Sequence, residues 1–301
     1  MNAINQVLIL SLMMLIGIYA RKKNYIDDRV EKGISTLMVN ITLPLMIVNS
    51  FILKFDKEII GNASKVFFYS LIIHTMLLLL SKLIYKKIES RKKVLLIFAT
   101  AFSNCGFMGF PILNNIYGEI GVFYGSIFLM VFTAFVWTLG VALFTGDISF
   151  KSAVKDIIKN PSMIAVFVGA IIFVGQVKLP YPLAETIKTI GGLTTPLSMI
   201  IIGSMLATSD VKAMMGDYTL YILSIIRLIV VPIVTFAIMK FLNVDVMLRA
   251  VCTILVAMPA GAIAPVIAID NNGDGVYGSQ CVFITTVLSV ITIPFFINLV
   301  G

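Results

Sequence analysis

The sequence predicts an all-α polytopic membrane protein: ten transmembrane helices in two inverted repeats of five, with the fourth and ninth helices broken and crossing at the membrane midplane. Three observations predict it. Hydrophobic residues make up 59% of the 301-residue chain and charged residues only 13%, and apolar runs long enough to cross a bilayer recur along its length. Two of those runs, at 94–117 and 248–270, are each interrupted near the middle by glycine and proline. Matched residues also recur through both halves at a nearly constant offset.

The spans fall at roughly 4–20, 34–53, 65–85, 94–117, 121–144, 161–176, 184–207, 218–239, 248–270 and 276–299. The first is followed by Arg21-Lys22-Lys23 and preceded by no positive charge, so it reads as a retained anchor and not a cleaved leader. The second contains Leu43-Pro44, and the third contains His74, the chain's one histidine. The fourth is broken by Ser103-Asn104-Cys105-Gly106-Phe107-Met108-Gly109-Phe110-Pro111. The fifth carries Tyr124-Gly125-Ser126. Between the fifth and sixth, Phe150, Ala153, Val154, Ile157 and Ile158 share one helical face while Lys151, Lys155 and Lys159 take another. That pattern predicts a short helix lying on the cytoplasmic surface. The sixth span opens at Asn160-Pro161, and the seventh contains Pro196, which with Pro44 reads as a pair of matched kinks. The eighth contains Arg227, the ninth is broken by Pro259-Ala260-Gly261-Ala262-Ile263-Ala264-Pro265, and the tenth carries Tyr277-Gly278-Ser279. The connectors are too short for a soluble domain.

The repeat is read from four matches. Gly17 and Gly169, and Pro44 and Pro196, lie 152 residues apart; His74 and Arg227, and the two Tyr-Gly-Ser triplets, lie 153 apart. Five spans is an odd number, so the second half enters the membrane from the opposite side. The expected organisation is a first repeat over 1–145, a linker with its interfacial helix over 146–160, and an inverted second repeat over 161–301.

The net charge of +8 does not point to nucleic acid, because the basic residues sit in short loops between spans. Fifteen of them, among them Arg21, Lys92, Lys151 and Lys212, lie on one side and seven, among them Lys54, Lys188, Lys240 and Arg249, on the other. The positive-inside rule makes the richer side cytoplasmic, with both termini outside a cell membrane. Cys105, Cys252 and Cys281 all fall within spans, which implies no disulfide framework. Cys105 has no neighbouring His or Cys, so neither a metal nor a cofactor is expected. Asp270-Asn271-Asn272-Gly273-Asp274-Gly275 imitates the start of a calcium-binding loop, but Cys281 stands where a bidentate Glu is required, and a turn is expected. No nucleophile, base and orienting group come together, so the chain is not read as an enzyme.

Each interrupted run begins about ten residues before its break, roughly 15 Å along a helix and half of a ~30 Å hydrocarbon layer. Backbone groups freed at that depth survive only inside protein or beside a water-filled cavity, so paired breaks point to a solute site. The expected lining is Ser103, Asn104, Cys105 and Pro111 from the first break and Pro259, Ala260 and Pro265 from the second. Exposed N–H groups at the start of each second half-helix favour an anion. Arg227 and His74 sit at matching depth, and a charge such as Arg227 must find a partner or a wet cavity. The residues leave open whether Asn104 caps a half-helix, binds solute or does both, and whether Arg227 meets solute or backbone carbonyls. Asn40, Asn49, Gln280 and Thr285 are further lining candidates, with interhelical hydrogen bonding as the alternative. Asp147, Asp156, Glu185, Asp210, Asp217, Asp245, Asp270 and Asp274 fall at span ends or in loops, so a midplane carboxylate relay is disfavoured.

Several stretches together resemble the auxin efflux carrier family, with its bacterial malate- and malonate-permease-like members and plant PIN carriers. They are Gly17 with Tyr19-Ala20-Arg21-Lys22-Lys23, Leu43-Pro44, Asn104 through Pro111, Asn160-Pro161, Thr195-Pro196-Leu197, Met258-Pro259-Ala260, and Thr285-Thr286-Val287-Leu288-Ser289 with Pro294. The resemblance implies a scaffold of the first, second, sixth and seventh spans, a moving bundle of the other six, and homodimers paired through the scaffold. It also places the substrate carboxylate at Asn104. The second break departs from the PIN spacing, since Pro259 and Pro265 are one residue further apart than that pattern has them.

Residues and resemblance lead to one expectation, a secondary transporter moving a small mono- or dicarboxylate by alternating access, with a proton or sodium as coupling ion. Two other readings stand beside it. One is a sodium-coupled organic-anion symporter of the bile-acid type, and the other a membrane sensor that binds ligand without moving it.

Overall fold

The computed structural model describes residues 3–207, 217–271 and 273–300; Asp210, Lys212 and Asn272 lie outside them. In chain order the helices are α1 (Ala3–Lys22), α2 (Asp28–Leu37), α3 (Leu43–Ser50), α4 (Lys57–Ile84), α5 (Ser90–Ala101), α6 (Phe110–Phe135), α7 (Val141–Thr145) and α8 (Phe150–Lys159). There follow α9 (Pro161–Gly175), α10 (Tyr181–Gly192), α11 (Thr194–Ala207), α12 (Tyr218–Ile225), α13 (Val231–Phe241), α14 (Val246–Ala257), α15 (Ala264–Asp270) and α16 (Gly275–Val300). Among the described residues the only β-type pairing is one isolated antiparallel bridge, Ser103 with Ala260. Six stretches among the described residues are long and apolar enough to cross a membrane: Asp28–Ser50, Lys57–Ile84, Cys105–Thr145, Tyr181–Ala207, Tyr218–Phe241 and Gly275–Val300. Helices α8 and α9 together are also long and apolar enough, as one segment bent by 69°, and α14 is a shorter apolar helix.

Helix starts follow from local chemistry. Asp27 accepts a hydrogen bond from the Val30 N–H, Asn160 from Ser162 and Met163, Asp217 from Thr219, and Asp245 from Met247 and Leu248. Each side chain thereby satisfies amide groups that the first turn of a helix leaves unpaired. After Asn160, Pro161 occupies the first helical position, where its missing N–H costs nothing.

Four turns among the described residues are wider π turns, at Met38–Thr42, Cys105–Gly109, Val136–Gly140 and Ile226–Val230. Three of them run into a proline two residues beyond their end, at Pro44, Pro111 and Pro232. A proline ring collides with the carbonyl four residues earlier and offers no N–H to it. Bonding across five residues lets the backbone go round that carbonyl, so the helix is widened and not severed. Pro196 needs no such turn, because it lies in the first turn of α11, after the break at Leu193.

The described chain divides into two compact units, each drawn from both halves of the sequence. The first comprises Met1–Lys65, Gly106–Met130 and Ile158–Ser209. Here α1 lies directly on α11: a methyl group added to Gly17 would meet the Ile200 carbonyl oxygen at 2.1 Å, and one added to Gly203 would meet that of Met14 at 2.0 Å. Small residues let two helix backbones touch, which gains dispersion contacts that lipid cannot supply as well. Thr194 and Thr42, 152 residues apart, share a buried hydrogen bond of 3.0 Å. In α6 the chain reverses at Gly118, whose φ of 61° and ψ of −149° only glycine adopts readily. Beyond it Gly125 returns against Phe110 and Leu113, so α6 is a tight hairpin and the expected junction between the fourth and fifth spans is one residue.

The second unit comprises Val66–Cys105, Val131–Ile157 and Asp210–Gly301. Its described core is built on α5, α14 and α16, whose inward residues Leu96, Phe98, Leu248, Val251, Leu255 and Cys281 are fully buried. Here Gly278 packs against Pro265 at the start of α15, much as Gly125 packs against Phe110. The repeated Tyr-Gly-Ser triplet therefore marks the place where each second half-helix folds back on the span that follows. The linker helix α8 forms as expected from its pattern, with Phe150, Val154 and Ile158 exposed and Ala153 buried.

Candidate functional site

Two interrupted segments meet inside the second unit. Helix α5 ends at Ala101 as Phe102 turns extended, with φ −114° and ψ 111°. Helix α14 ends at Ala257 because Met258 precedes Pro259, and the proline ring pushes the residue before it out of helical geometry, here to ψ 150°. The two extended stretches then pair antiparallel. The Asn104 N–H donates to the Pro259 carbonyl at 2.8 Å, and the Gly261 N–H donates to that of Phe102 at 2.9 Å. The Ala260 N–H donates to Thr285 Oγ1 at 3.1 Å. The freed amides of the crossing are thus largely satisfied within the protein, as a low-dielectric setting requires.

Arg227 closes the arrangement from the π turn at Ile226–Val230. It is only 1% exposed. Its Nη1 donates to the Thr100 carbonyl at 2.7 Å, Nη2 to Val256 at 2.8 Å and Nε to Met258 at 3.0 Å. These oxygens lie at the C-terminal ends of α5 and α14, where a helix carries roughly half a negative charge. One guanidinium thus ties together the negative ends of both first half-helices. No carboxylate lies within 4.0 Å of it among the described residues, so the two helix ends, at roughly half a negative charge each, are what offset its positive charge.

The other expected residues distribute around this core. Ser103 pairs with Ala260 in the bridge, and its hydroxyl lies 3.0 Å from Cys105 Sγ. Cys105 is buried, in a π turn that leads to Pro111. Pro265 lies in the first turn of α15. Asn104 is half-buried at the centre of the crossing. His74 is 1% exposed, its Nδ1 lies 2.8 Å from the Ser70 carbonyl, and its ring is held among Phe102, Phe132 and Phe135. The residues matched by the repeat, His74 and Arg227, therefore both abut the crossing, one through the Phe102 ring and one through carbonyl groups. Three partners had no sequence signal that singled them out: Thr100, Phe132 and Phe135. Of the weaker candidates, Thr285 supports the crossing directly, Asn40 bonds back to the Thr36 carbonyl in its own helix, and Asn49 donates to Glu119. Glu119 escaped the sequence-based list of acidic residues and lies at the α6 hairpin, half-buried. Among the described residues no group of three or more His, Cys, Asp or Glu side chains is placed to hold a metal.

Comparison with known proteins follows the whole chain. A family model described as membrane transport protein matches residues 2–150 and 145–297. An uncharacterized transporter of Methanothermobacter thermautotrophicus is 25% identical over 303 residues, covering 98% of this chain and 97% of that protein. Another from Methanocaldococcus jannaschii is 26% identical over 301 residues, covering 95% of each.

Proposed function

The chain belongs to the membrane transport protein family, the auxin efflux carriers, and from that premise we propose that it is a secondary transporter moving a small mono- or dicarboxylate across the cell membrane by alternating access. The family is one of membrane transport and not of catalysis. The observation that carries the anion reading is the crossing of Phe102–Asn104 with Met258–Gly261, where a buried guanidinium offsets the negative ends of both first half-helices and, among the described residues, no carboxylate is present within 4.0 Å of it. With those helix ends offset, an anion meets no net negative charge at the crossing, and in a medium of low dielectric a cation without a charged partner there is strongly disfavoured. The Asn104 amide adds a neutral donor at the crossing. Ser103, Cys105, Ala260 and the prolines 259 and 265 shape the site, and His74 braces Phe102 from behind.

In this reading the ten spans form two inverted repeats, 1–145 and 161–301, joined by the interfacial linker, with both termini outside. The hydrogen bond between Thr42 and Thr194 supports it, because residues related by a two-fold axis meet each other on that axis. The first, second, sixth and seventh spans serve as a scaffold that pairs two copies, and the others move, coupled to a proton or sodium. The test is carboxylate flux into proteoliposomes. Malate or malonate uptake that drops about tenfold or more in Asn104→Ala, with the protein still folded, supports the site. Uptake unchanged in that variant removes it.

A further inference from the structure

A cavity of about 220 Å³ lies wholly within the first unit and is lined by Met46, Asn49, Asn114, Glu119, Lys188 and Gly191 among others. None of these residues belongs to the crossing. The α6 hairpin turn at Gly118 carries Glu119 back toward α3, where one carboxylate oxygen accepts from Asn49 Nδ2 at 2.9 Å. Glu119 has no other hydrogen bond to the described protein, and neither the Lys188 ammonium nor the Asn114 amide has one. No ion pair of 4.0 Å or less joins Glu119 to Lys188. A carboxylate, an ammonium and an amide thus line one space without being spent on each other.

The geometry points to a binding site for a small zwitterion, an amino-bearing carboxylic acid whose ammonium meets Glu119 and whose carboxylate meets Lys188. Charge and size both select this class. A bare metal cation would face the Lys188 ammonium, and a dicarboxylate would face Glu119; like charges brought together disfavour each. At ~30 Å³ for each water in the liquid, the cavity holds the equivalent of about seven waters. That is far too roomy for one ion and suits a solute of about six or seven non-hydrogen atoms. The Asn49 amide fixes the Glu119 carboxylate in place, and Asn114 offers both a donor and an acceptor to the solute backbone.

The experiment measures thermal stabilisation of the purified full chain in nanodiscs by L-alanine, with propionate and ethylammonium as probes of each half of the charge pair. A ligand that binds only the folded state raises its apparent stability. Alanine is expected to stabilise the protein, neither half-probe to match it, and Glu119→Gln and Lys188→Met each to weaken alanine binding by roughly tenfold or more. Glu119→Gln keeps an oxygen for Asn49, so folding is preserved, and Lys188 is exposed. No stabilisation by alanine, equal stabilisation by propionate, or alanine binding unchanged in both variants overturns the assignment. Malate flux is scored separately on the unaltered protein, so failure of the crossing as an anion site leaves this result readable.

Discussion

Replacing Arg227 with Met removes the clamp while keeping an unbranched side chain of comparable reach. Three carbonyl groups, Thr100, Val256 and Met258, would lose the partner that the structure gives them. Each hydrogen bond to a charged donor contributes about 1.5–3 kcal/mol net. Relief from burying the charge offsets part of that sum. Three buried acceptors left unpaired at about 1–3 kcal/mol each, less the relief from no longer burying a charge, give an expected loss of roughly 3–5 kcal/mol. At a few degrees of melting temperature per kcal/mol, this amounts to a drop of roughly 6 °C or more. The assay is thermal unfolding of purified wild type, Arg227→Met and Arg227→Lys in one detergent. Lysine keeps the charge but lacks the planar fork that reaches three oxygens at once, so it should fall between the other two. If Arg227→Met melts with wild type, the guanidinium does not hold the half-helix ends, and the argument for the crossing as a clamped unit fails.

Four further outcomes are expected. Thr285→Val leaves the Ala260 amide without its acceptor and should cost about 1–3 kcal/mol in denaturant unfolding, more than the same change at exposed Thr186. Gly203→Leu cannot fit against the Met14 carbonyl, so α1 and α11 should separate; an engineered cysteine on α1 would then become reactive to a membrane-permeant thiol reagent, and continued protection would contradict the close packing. Partial burial pushes the Asp217 carboxyl up, but hydrogen bonds from Lys92 and Thr219 outweigh it and hold the group below its ordinary range. A lowered folded-state pKa stabilises at pH above the unfolded value and is lost as pH falls through the folded one. Melting temperature should therefore fall more steeply for wild type than for Asp217→Asn as the buffer is taken below about pH 4, and parallel curves would count against the Lys92–Asp217 tie. Replacing Phe132 with Ala should loosen the cage round His74 and raise hydrogen exchange at the crossing; unchanged exchange there would separate His74 from it.

The breaks at Phe102–Asn104 and Met258–Gly261 were legible because glycine, proline and asparagine in an apolar run leave little else for the chain to do. Their meeting was only inferable, since backbone pairing between remote segments leaves no mark on side-chain identity. For the same reason the partners of Arg227 were invisible: its depth demanded some acceptor, but a carbonyl belongs to every residue. The looser match in the second break has a structural counterpart. Ser103 and Ala260 pair at a separation of 157 residues, whereas the Tyr-Gly-Ser triplets differ by 153. The first half of the chain therefore has about one helical turn more between its break and its Tyr-Gly-Ser triplet, and the π turn at Cys105–Gly109 lies in that stretch. Glu119 was missed because it falls in the connector 118–120, where a charge reads as solvated. Only the reversal at Gly118 turns it inward. Helical periodicity could not announce the π turns, because these spans are apolar on most faces.

Each wide turn before Pro44, Pro111 and Pro232 stores one surplus amino acid in a segment whose ends are fixed by the thickness of the bilayer. Deleting that surplus and replacing the proline, not removing it, would restore regular turns without shifting either flank, whereas deletion a turn away would rotate every later side chain by about 100° at 3.6 residues per turn. These three places are therefore where the length of a span is free to change by one, and where an insertion in the distant past would have left least damage.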